Sequence, residues 1–261
     1  MVVVHSLTKL NMMNGIKPKL YLIPMGGFGN RMWSYEIAYQ INRKFGYPWD
    51  IIMDTQFFPE VKYLDFPYVK QGDMKPTPII KSLEDIDTSK DYKIGSYAVK
   101  LYSELRGEEY TIDEPITLKD KSLEDEIKLK MKDVIGVHIR RGDVTDALNP
   151  SHGAYGIQPM VYDDYYRTTM NEYKDKKFYI STDGSWEEAK WLWEEFDVIN
   201  DYVKVRTRPK NYVFPFSKVE ALDLFHLLHS EEFIMGLSTW SEWIQRQRQY
   251  IKCIVPPINF K

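Results

Sequence analysis

Short apolar runs rich in β-branched residues alternate along this 261-residue chain with longer amphipathic stretches. Residues 20–24 and 49–53 are two such runs, and the stretch 31–45 between them carries apolar residues at helical spacing. A strand, a helix and a second strand in this order form a βαβ unit, whose two strands are parallel. The alternation therefore predicts an α/β fold built on parallel sheets.

The second half of the chain repeats this alternation. The runs 134–139 and 178–182 predict two buried strands, because they are short and mostly apolar. Further helices are predicted over residues 162–173, 186–196 and 240–249, and a further strand over 232–235. We expect two domains, residues 1–132 and 133–261, since the length suffices for two and no internal repeat is visible.

The composition is that of a folded globular protein, with 43% hydrophobic and 28% charged residues. A net charge of −3, with both signs interspersed, predicts no nucleic-acid partner, for which a basic patch is expected. The single cysteine, Cys253, cannot form an internal disulfide, and we expect it to be a small buried hydrophobic residue.

No stretch of the sequence approaches the roughly 18 uncharged apolar residues of a membrane span. The first residues also lack the apolar core of a secretory signal. We therefore expect a soluble, cytoplasmic enzyme. The oligomeric state stays open.

The predicted strand 134–139 runs directly into Arg140 and Arg141, which are followed by Gly142 and Asp143. Ligands of open α/β sheets collect at the carboxyl ends of the strands. The arginine guanidinium is a rigid fork of donors that matches phosphate oxygens and keeps its charge near neutral pH. This segment predicts a diphosphate site, with a surface ion pair to a nearby carboxylate as the alternative.

Residues Gly26 to Asn30 predict a glycine turn between the first strand and the first helix. Such a turn lets Gly27, Gly29 and Asn30 approach an anion or a sugar hydroxyl, and a tight turn without a ligand is the alternative. The spacing also imitates a dinucleotide-binding fingerprint. Met32, however, stands where the third glycine would allow close helix packing, so an NAD-linked enzyme is kept only as an alternative.

Two further strand ends carry candidate ligand-binding residues. Asp183 follows the strand 178–182, where its carboxylate could accept two hydrogen bonds from guanine or, alternatively, cap the next helix. Ser238 and Thr239 precede the last predicted helix, where hydroxyl and N–H groups cap the helix or hold a phosphate.

Two other features are open to more than one interpretation. Asp163 and Asp164 stand in the first turn of a predicted helix, which favours a capping role over a metal site. His152 lies in a long loop, residues 149–156, and either contacts an acceptor or is simply solvated.

Four segments of the chain resemble the fucosyltransferases in order along the sequence. Residues 138–143 read H-x-R-R-x-D, which resembles the signature of the α1,2-, α1,6- and protein O-fucosyltransferases. Residues 26–35 resemble the G-G-x-G-N-x-M/L-x-x-Y segment of the α1,2-fucosyltransferases. Residues 180–183 resemble the segment F-S-D-D or A-T-D-D, with Gly184 in place of the second acid.

The fourth segment, residues 223–243, resembles D-L-x-x-x-S/H followed by N-S-T-F-S-W-W. This chain has Leu237 for the asparagine and Glu242 for the first tryptophan of that pattern. These departures concern the identity of the donor sugar, so another GDP-linked sugar stays open.

The resemblance implies a GT-B architecture, in which two Rossmann-like domains face each other across a cleft. It implies that the domain over 133–261 binds the GDP-sugar and that the domain over 1–132 mainly holds the acceptor. The reaction implied is transfer of L-fucose from GDP-β-L-fucose to a glycan hydroxyl, with inversion, with an α1,2 linkage and without a metal or other cofactor.

Each residue of the H-x-R-R-x-D segment receives a predicted role. Arg140 would stabilise the charge that develops on the β-phosphate, and His138, on the same side of the strand by alternation, would contact ribose or phosphate. Arg141 would anchor the loop or reach the sugar. Asp143 is the candidate base, with an ion pair to an arginine as the alternative. The predicted donor-binding residues are Gly27, Gly29, Asn30, His138, Arg140, Asp183, Ser238 and Thr239.

A catalytically inactive module that binds a nucleotide sugar or a glycan is the second function that the sequence allows. The identity of the acceptor glycan stays open.

Overall fold

The computed structural model describes residues 17–23, 26–95, 101, 104–105, 115–141, 161–203, 216–248 and 252–256. The described residues belong to two compact units, which divide between Thr117 and Leu118. This division lies earlier in the chain than the domain boundary predicted near Lys132.

The strands are β1 (Lys19–Ile23), β2 (Asp50–Met53), β3 (Leu64–Asp65), β4 (Val69–Gln71), β5 (Tyr92–Gly95), β6 (Thr117–Leu118), β7 (Val134–Ile139), β8 (Lys177–Thr182), β9 (Glu232–Ile234) and β10 (Cys253–Ile254). The helices are α1 (Phe28–Lys44), α2 (Lys121–Lys130), α3 (Asp163–Asn171), α4 (Trp186–Ala189), α5 (Trp191–Glu195), α6 (Lys218–His229) and α7 (Thr239–Gln247). Two short 3-10 helices cover Pro59–Lys62 and Leu83–Asp85.

The first unit contains a parallel sheet in the order β4-β2-β1-β5. Helix α1 joins β1 to β2, as the βαβ pattern predicted, and packs against β1 and β5. The core of this unit is formed by buried residues of the sheet and of α1: Leu20, Leu22, Met32, Ile37, Ala38, Ile41, Ile51, Met53 and Ile94.

Helix α1 begins at Phe28, earlier than the helix predicted from residue 31. Gly27 is its N-cap, so Gly29 and Asn30 lie in the first helical turn, and the glycine turn predicted over residues 26–30 is wrong in its extent. Among residues 26–30, only Gly26 has a positive φ, 71°, which glycine adopts without steric cost. Gly29 is buried inside the helix, where tertiary packing overrides its weak helix propensity.

The second unit contains a parallel sheet in the order β10-β9-β7-β8. Every residue of the central strand β7 is buried, as its sequence predicted. The α/β class with parallel sheets is thus confirmed in both units.

The two faces of this second sheet differ in chemistry. Ile135, Val137 and Ile139 of β7 join an apolar cluster with Tyr166 of α3 and Leu192 of α5. Because strand side chains alternate, the other β7 residues face away from that cluster. On that second face a Cβ on Gly136 would touch the side chains of Ser230 and Leu227, and His138 contacts α7.

The helix predicted over residues 186–196 is divided into α4 and α5 at Lys190. Lys190 keeps helical backbone angles, and its carbonyl accepts N–H groups of both Trp193 and Glu194. The interruption is therefore a tightened turn within one helical segment.

Candidate functional site

The strand order of the second sheet reverses at β7. The chain passes from β7 to β8 on one side and later returns to β9 on the other side. At such a reversal the loops that leave the two strands diverge, and ligands bind outside the carboxyl ends of these strands. We call this region, residues 138–141 and 235–239, the β7–β9 edge.

The loop after β9 lies directly against the end of β7. A Cβ on Gly236 would be 2.9 Å from the carbonyl oxygen of His138 and 3.0 Å from the hydroxyl of Tyr166. It would also be 3.5 Å from the backbone nitrogen of Arg140. Any larger residue would therefore push this loop away, so glycine is required for the two chain segments to meet.

His138 is buried beneath the start of α7. Its Nδ1 atom lies 2.6 Å from Oγ of Ser241, and its ring stacks on Trp240 with the centroids 6.3 Å apart. The carbonyl of His138 accepts a hydrogen bond of 3.2 Å from the Tyr166 hydroxyl. Both the ring and the backbone of His138 are therefore held in place.

Ser238 caps helix α7, as predicted, by accepting the N–H of Ser241 at 3.1 Å. Its hydroxyl also lies 3.4 Å from that of Ser241. Thr239 is the first residue of α7 and is half-buried. The N-terminal end of α7 thus stands at the β7–β9 edge, where the helix dipole favours an anion.

The backbone after β7 is held by Arg141, which is buried. Its Nη1 donates to the carbonyls of Val161, at 2.8 Å, and of Arg140, at 3.0 Å. Its Nη2 forms an ion pair with Asp163, and its guanidinium lies over the Tyr166 ring. These contacts give Arg141 a structural role in the described part of the chain.

Asp163 forms this ion pair instead of capping α3. The N-cap of α3 is Tyr162, which makes no side-chain capping bond, so Asp163 is not the cap. The predicted placement of Asp163 and Asp164 in the first turn of this helix is confirmed. Arg141 reaches Asp163 because both residues lie on the α3 side of the sheet.

Asp183 stands at the end of β8 and is buried. Its Oδ1 accepts the backbone N–H of Arg141 at 2.6 Å, which joins the ends of β7 and β8. The alternative role as helix cap is wrong, because Ser185 and Glu188 form the capping box of α4. The predicted contact of Asp183 with guanine stays a prediction.

Arg140 is partly exposed and follows the last residue of β7. The bond between its carbonyl and Arg141 Nη1 fixes its backbone beside the loop that contains Gly236. The β7–β9 edge therefore brings together four predicted donor-binding residues: His138, Arg140, Ser238 and Thr239.

A buried carboxyl, which the sequence interpretation passed over, lies on the same face of the sheet as His138. Ser181, the register partner of His138 on β8, donates to Oδ2 of Asp223 at 2.5 Å. Burial raises the pKa of Asp223 to about 7, against the opposing effect of hydrogen bonds from Ser181 and Tyr179. In the sequence, Asp223 interrupts an apolar helical pattern and begins the fourth resembling segment, and neither signal indicates that it is buried.

In the first unit, the start of α1 is organised around Gly26. A Cβ on Gly26 would lie 2.6 Å from Nδ2 of Asn30, so the Asn30 amide folds back over this glycine. Gly27, with an extended backbone, caps α1 without a side chain. Gly27, Gly29 and Asn30, predicted from the sequence as ligand-binding, thus share one helix N-terminus.

Arg31 and Glu60 stabilise this turn from the interior of the unit, where both are fully buried. Arg31 Nη1 donates to the carbonyl of Gly26 at 2.7 Å, and Nε donates to Glu60 at 2.6 Å. The sequence interpretation did not identify this pair, because its members are far apart in the chain and sequence spacing does not indicate burial.

Three residues of the predicted site region, Gly142, Asp143 and His152, lie outside the described residues. Within the described ranges, no group of three or more histidine, cysteine, aspartate or glutamate residues could hold a metal ion. Within the same ranges, no helix is both long and apolar enough to cross a bilayer.

No protein-family model matches this sequence. No curated protein matches it at a significant level either.

Several solved structures share the fold. POFUT1 in complex with GDP aligns with a TM-score of 0.54 and 11% identity, over 93% of this chain and 99% of that one. The fucosyltransferase NodZ from Bradyrhizobium aligns with a TM-score of 0.50 and 11% identity, over 93% and 96%. POFUT1 in complex with GDP-fucose aligns with a TM-score of 0.50 and 10% identity, over 93% and 98%. At these identities the likeness shows a common fold.

Proposed function

We propose that this chain is an inverting glycosyltransferase of the GT-B type. It transfers L-fucose from GDP-β-L-fucose to a hydroxyl of a glycan acceptor and forms an α1,2 linkage. The observation that carries the proposal is the β7–β9 edge, where Arg140, His138 and the N-terminus of α7 converge. The shared fold with POFUT1, which was crystallised with GDP-fucose, supports the choice of donor.

Arg140 is the proposed catalytic residue. Cleavage of the bond between the sugar and the β-phosphate places additional negative charge on the leaving GDP. A guanidinium held beside that oxygen stabilises the transition state more than the ground state and so lowers the barrier. The backbone of Arg140 is fixed by Arg141, which reduces the reorganisation needed during the reaction.

The N-terminus of α7 supplies the second group for the diphosphate. Free N–H groups of a first helical turn and the positive end of the helix dipole attract phosphate oxygens. Thr239 offers a hydroxyl at this end, while Ser238 organises the turn by capping it. His138 offers a ring N–H to ribose or phosphate.

The remaining assignments complete the proposal. Gly27, Gly29 and Asn30 line the N-terminus of α1 and bind the donor from the first of two Rossmann-like domains. Asp143 accepts the proton of the attacking hydroxyl, His152 contacts the acceptor, and no metal or cofactor takes part. Arg141 and Asp183 act as positioning residues, because the bonds of Arg141 to Val161, Asp163 and Asp183 hold the Arg140 backbone.

Thermal unfolding with a panel of nucleotides tests the donor. GDP and GDP-fucose should raise the melting temperature by ligand linkage, whereas UDP, ADP and NAD should not. Stabilisation by NAD or UDP alone would contradict the proposal and favour another enzyme class.

Hydrolysis of GDP-fucose and transfer to a panel of glycans test the chemistry. Arg140→Ala should lower the rate by roughly a hundredfold or more, the range found when one charge-stabilising donor is removed. Arg167→Ala is the matched control, because Arg167 pairs with Glu195 on the surface of the same unit. Binding of GDP-fucose without any turnover in the wild type would identify an inactive binding module instead.

A further inference from the structure

Two consecutive residues of α7 hold the ring of His138. The Trp240 ring lies next to the imidazole, with the centroids 6.3 Å apart and the two rings inclined by 30°, and the Ser241 hydroxyl lies at Nδ1. Ser241 is fully buried, so water does not compete for its hydroxyl. The orientation of the ring is therefore set by α7.

The hydrogen bonds of Ser241 determine where the proton of His138 lies. The Ser241 hydroxyl can donate only one hydrogen bond. Within the described residues, two acceptors are in reach of that hydroxyl, Nδ1 of His138 at 2.6 Å and Oγ of Ser238 at 3.4 Å. The much shorter distance favours donation to Nδ1 of His138. The other contacts of Ser241 are with Oγ of Ser238, which accepts the Ser241 N–H and lies 3.4 Å from the Ser241 hydroxyl.

We infer that Ser241 is a positioning residue that fixes His138 in the neutral tautomer whose proton lies on Nε2. Nδ1 must be unprotonated to accept the Ser241 hydroxyl, and a neutral imidazole carries its single proton on the other nitrogen. Ser238 is compatible with this direction, because its hydroxyl, 3.4 Å away, can donate to the Ser241 oxygen. The helix cap and the histidine tautomer are thus linked by one chain of hydroxyl groups.

The consequence for the donor substrate rests on the proposed function. A neutral imidazole with its proton on Nε2 is a hydrogen-bond donor to a ribose or phosphate oxygen. The opposite tautomer would present a lone pair on Nε2, which repels a phosphate oxygen and could only accept a hydrogen bond from a ribose hydroxyl. Ser241 therefore fixes the tautomer and the orientation of His138 before the nucleotide binds.

Nitrogen NMR of the full chain labelled with 15N-histidine tests the tautomer directly, because protonated and unprotonated ring nitrogens resonate far apart. The spectra are recorded at about pH 8, above the ordinary histidine pKa. The chain has five histidines, and the signals of His138 are assigned by their loss in His138→Gln. His226 is an internal reference of the opposite kind, because its Nδ1 lies 2.7 Å from the carbonyl of Leu222, which can only accept.

The wild type should show His138 with its proton on Nε2 and His226 with its proton on Nδ1. A proton on Nδ1 of His138 overturns the inference without any variant. In Ser241→Ala the His138 signals should shift towards an average of the two tautomers, while those of His226 stay unchanged. Unchanged His138 signals in a folded Ser241→Ala protein also overturn it.

The binding of GDP, measured by calorimetry, separates positioning from a general loss of packing. Ser241→Ala should weaken GDP binding roughly fivefold, the effect of about one hydrogen bond. Ser241→Thr, which keeps the hydroxyl, should restore both the tautomer and the affinity. Ser34→Ala is the matched control, because Ser34 is equally buried in a helix and its hydroxyl meets no partner among the described residues.

Different results would contradict the proposed function and the inference about Ser241. If His138 has the expected tautomer but GDP does not bind, the proposed function fails and the role of Ser241 stands. If GDP binds while His138 carries its proton on Nδ1, the donor proposal stands and the inference about Ser241 is wrong.

Discussion

Asp183 accepts the backbone N–H of Arg141 at 2.6 Å, which joins the carboxyl ends of the neighbouring strands β8 and β7. Gly184 makes this approach possible, since a Cβ there would lie 2.9 Å from Cβ of Arg141. The residue next to this junction is Arg140, the proposed catalytic residue. The position of Arg140 therefore depends on the Asp183 carboxylate, which follows a different strand, β8.

We predict that Asp183→Asn largely preserves GDP binding, because the amide oxygen can still accept the Arg141 N–H. Asp183→Ala leaves this buried N–H without its partner and should lower the free energy of unfolding by about 1–3 kcal/mol. Denaturant unfolding and GDP calorimetry on both variants check this. If Asp183→Asn instead loses its preference for GDP over ADP, Asp183 reads the guanine base.

Arg141→Ala should mainly affect stability. It removes the bonds to two carbonyls and leaves Asp163 without its ion pair, so we expect a loss of about 2–4 kcal/mol in the free energy of unfolding. Arg167→Ala breaks a solvent-exposed pair with Glu195 and a cation–π contact with Trp191, and should cost about 1 kcal/mol. Urea unfolding measures both. Equal stability of the two variants would show that Arg141 is not the anchor.

The buried pair Arg31–Glu60 gives a prediction for the first unit. Arg31→Met removes the charged partner of the buried Glu60 carboxylate, which should lower the free energy of unfolding by about 3–5 kcal/mol. The double variant Arg31→Met/Glu60→Leu should recover much of that loss, since it leaves no buried charge. A double-mutant cycle of unfolding free energies measures the coupling. Additive losses would mean that the two residues do not act as a pair.

The raised pKa of Asp223 predicts that the free energy of unfolding depends on pH. Burial raises the pKa of its carboxyl to about 7, and the charge of Glu220 acts in the same direction. The folded protein therefore keeps a proton that the unfolded chain releases near its ordinary pKa of about 4. This contribution to stability is complete below that pH and is lost as the pH rises towards 7.

The Asp223→Asn variant isolates this effect, because the amide has a similar shape and does not titrate. Between pH 5 and pH 8 the free energy of unfolding of the wild type should fall relative to that of the variant, by at most about 1.4 kcal/mol per pH unit. Parallel pH profiles of the two proteins would show that Asp223 does not titrate in this range.

Gly236→Ala should disturb the β7–β9 edge. Its new Cβ would come within 2.9 Å of the His138 carbonyl, which is a backbone atom and cannot easily move. We expect weaker GDP binding and a lower melting temperature. Gly72→Ala is the control, because its Cβ would meet a side-chain methyl of Ile52 at an ordinary 3.4 Å. Similar effects of both substitutions would argue against a special role for Gly236.

Periodicity was a good guide to the elements of this chain. The β-branched run before Arg140 predicted β7 with its bounds, and the alternation of strands and helices predicted parallel sheets. Periodicity is a local property, set by the geometry of one strand or one helix, so it can be read without knowledge of the rest of the fold.

The errors arose where a local preference was overridden by distant contacts. Gly29 and Asn30 are frequent in turns, yet both are helical because α1 packs on its sheet. Asp163 is a common residue at helix starts, yet it pairs with Arg141. For Asp223 the sequence made no prediction of environment, and the structure shows that it is buried and bonded to Ser181 of β8.

From the amino-acid order alone came the α/β class, the strand that carries His138, and the placement of Arg140 and Arg141 at its carboxyl end. The meeting of His138 with Ser241, and of Arg141 with Asp163 and Asp183, emerges only in three dimensions. Such contacts depend on strand order and register, which bring together residues far apart in the chain. No local pattern of residues encodes that order, because it results from the packing of the whole unit.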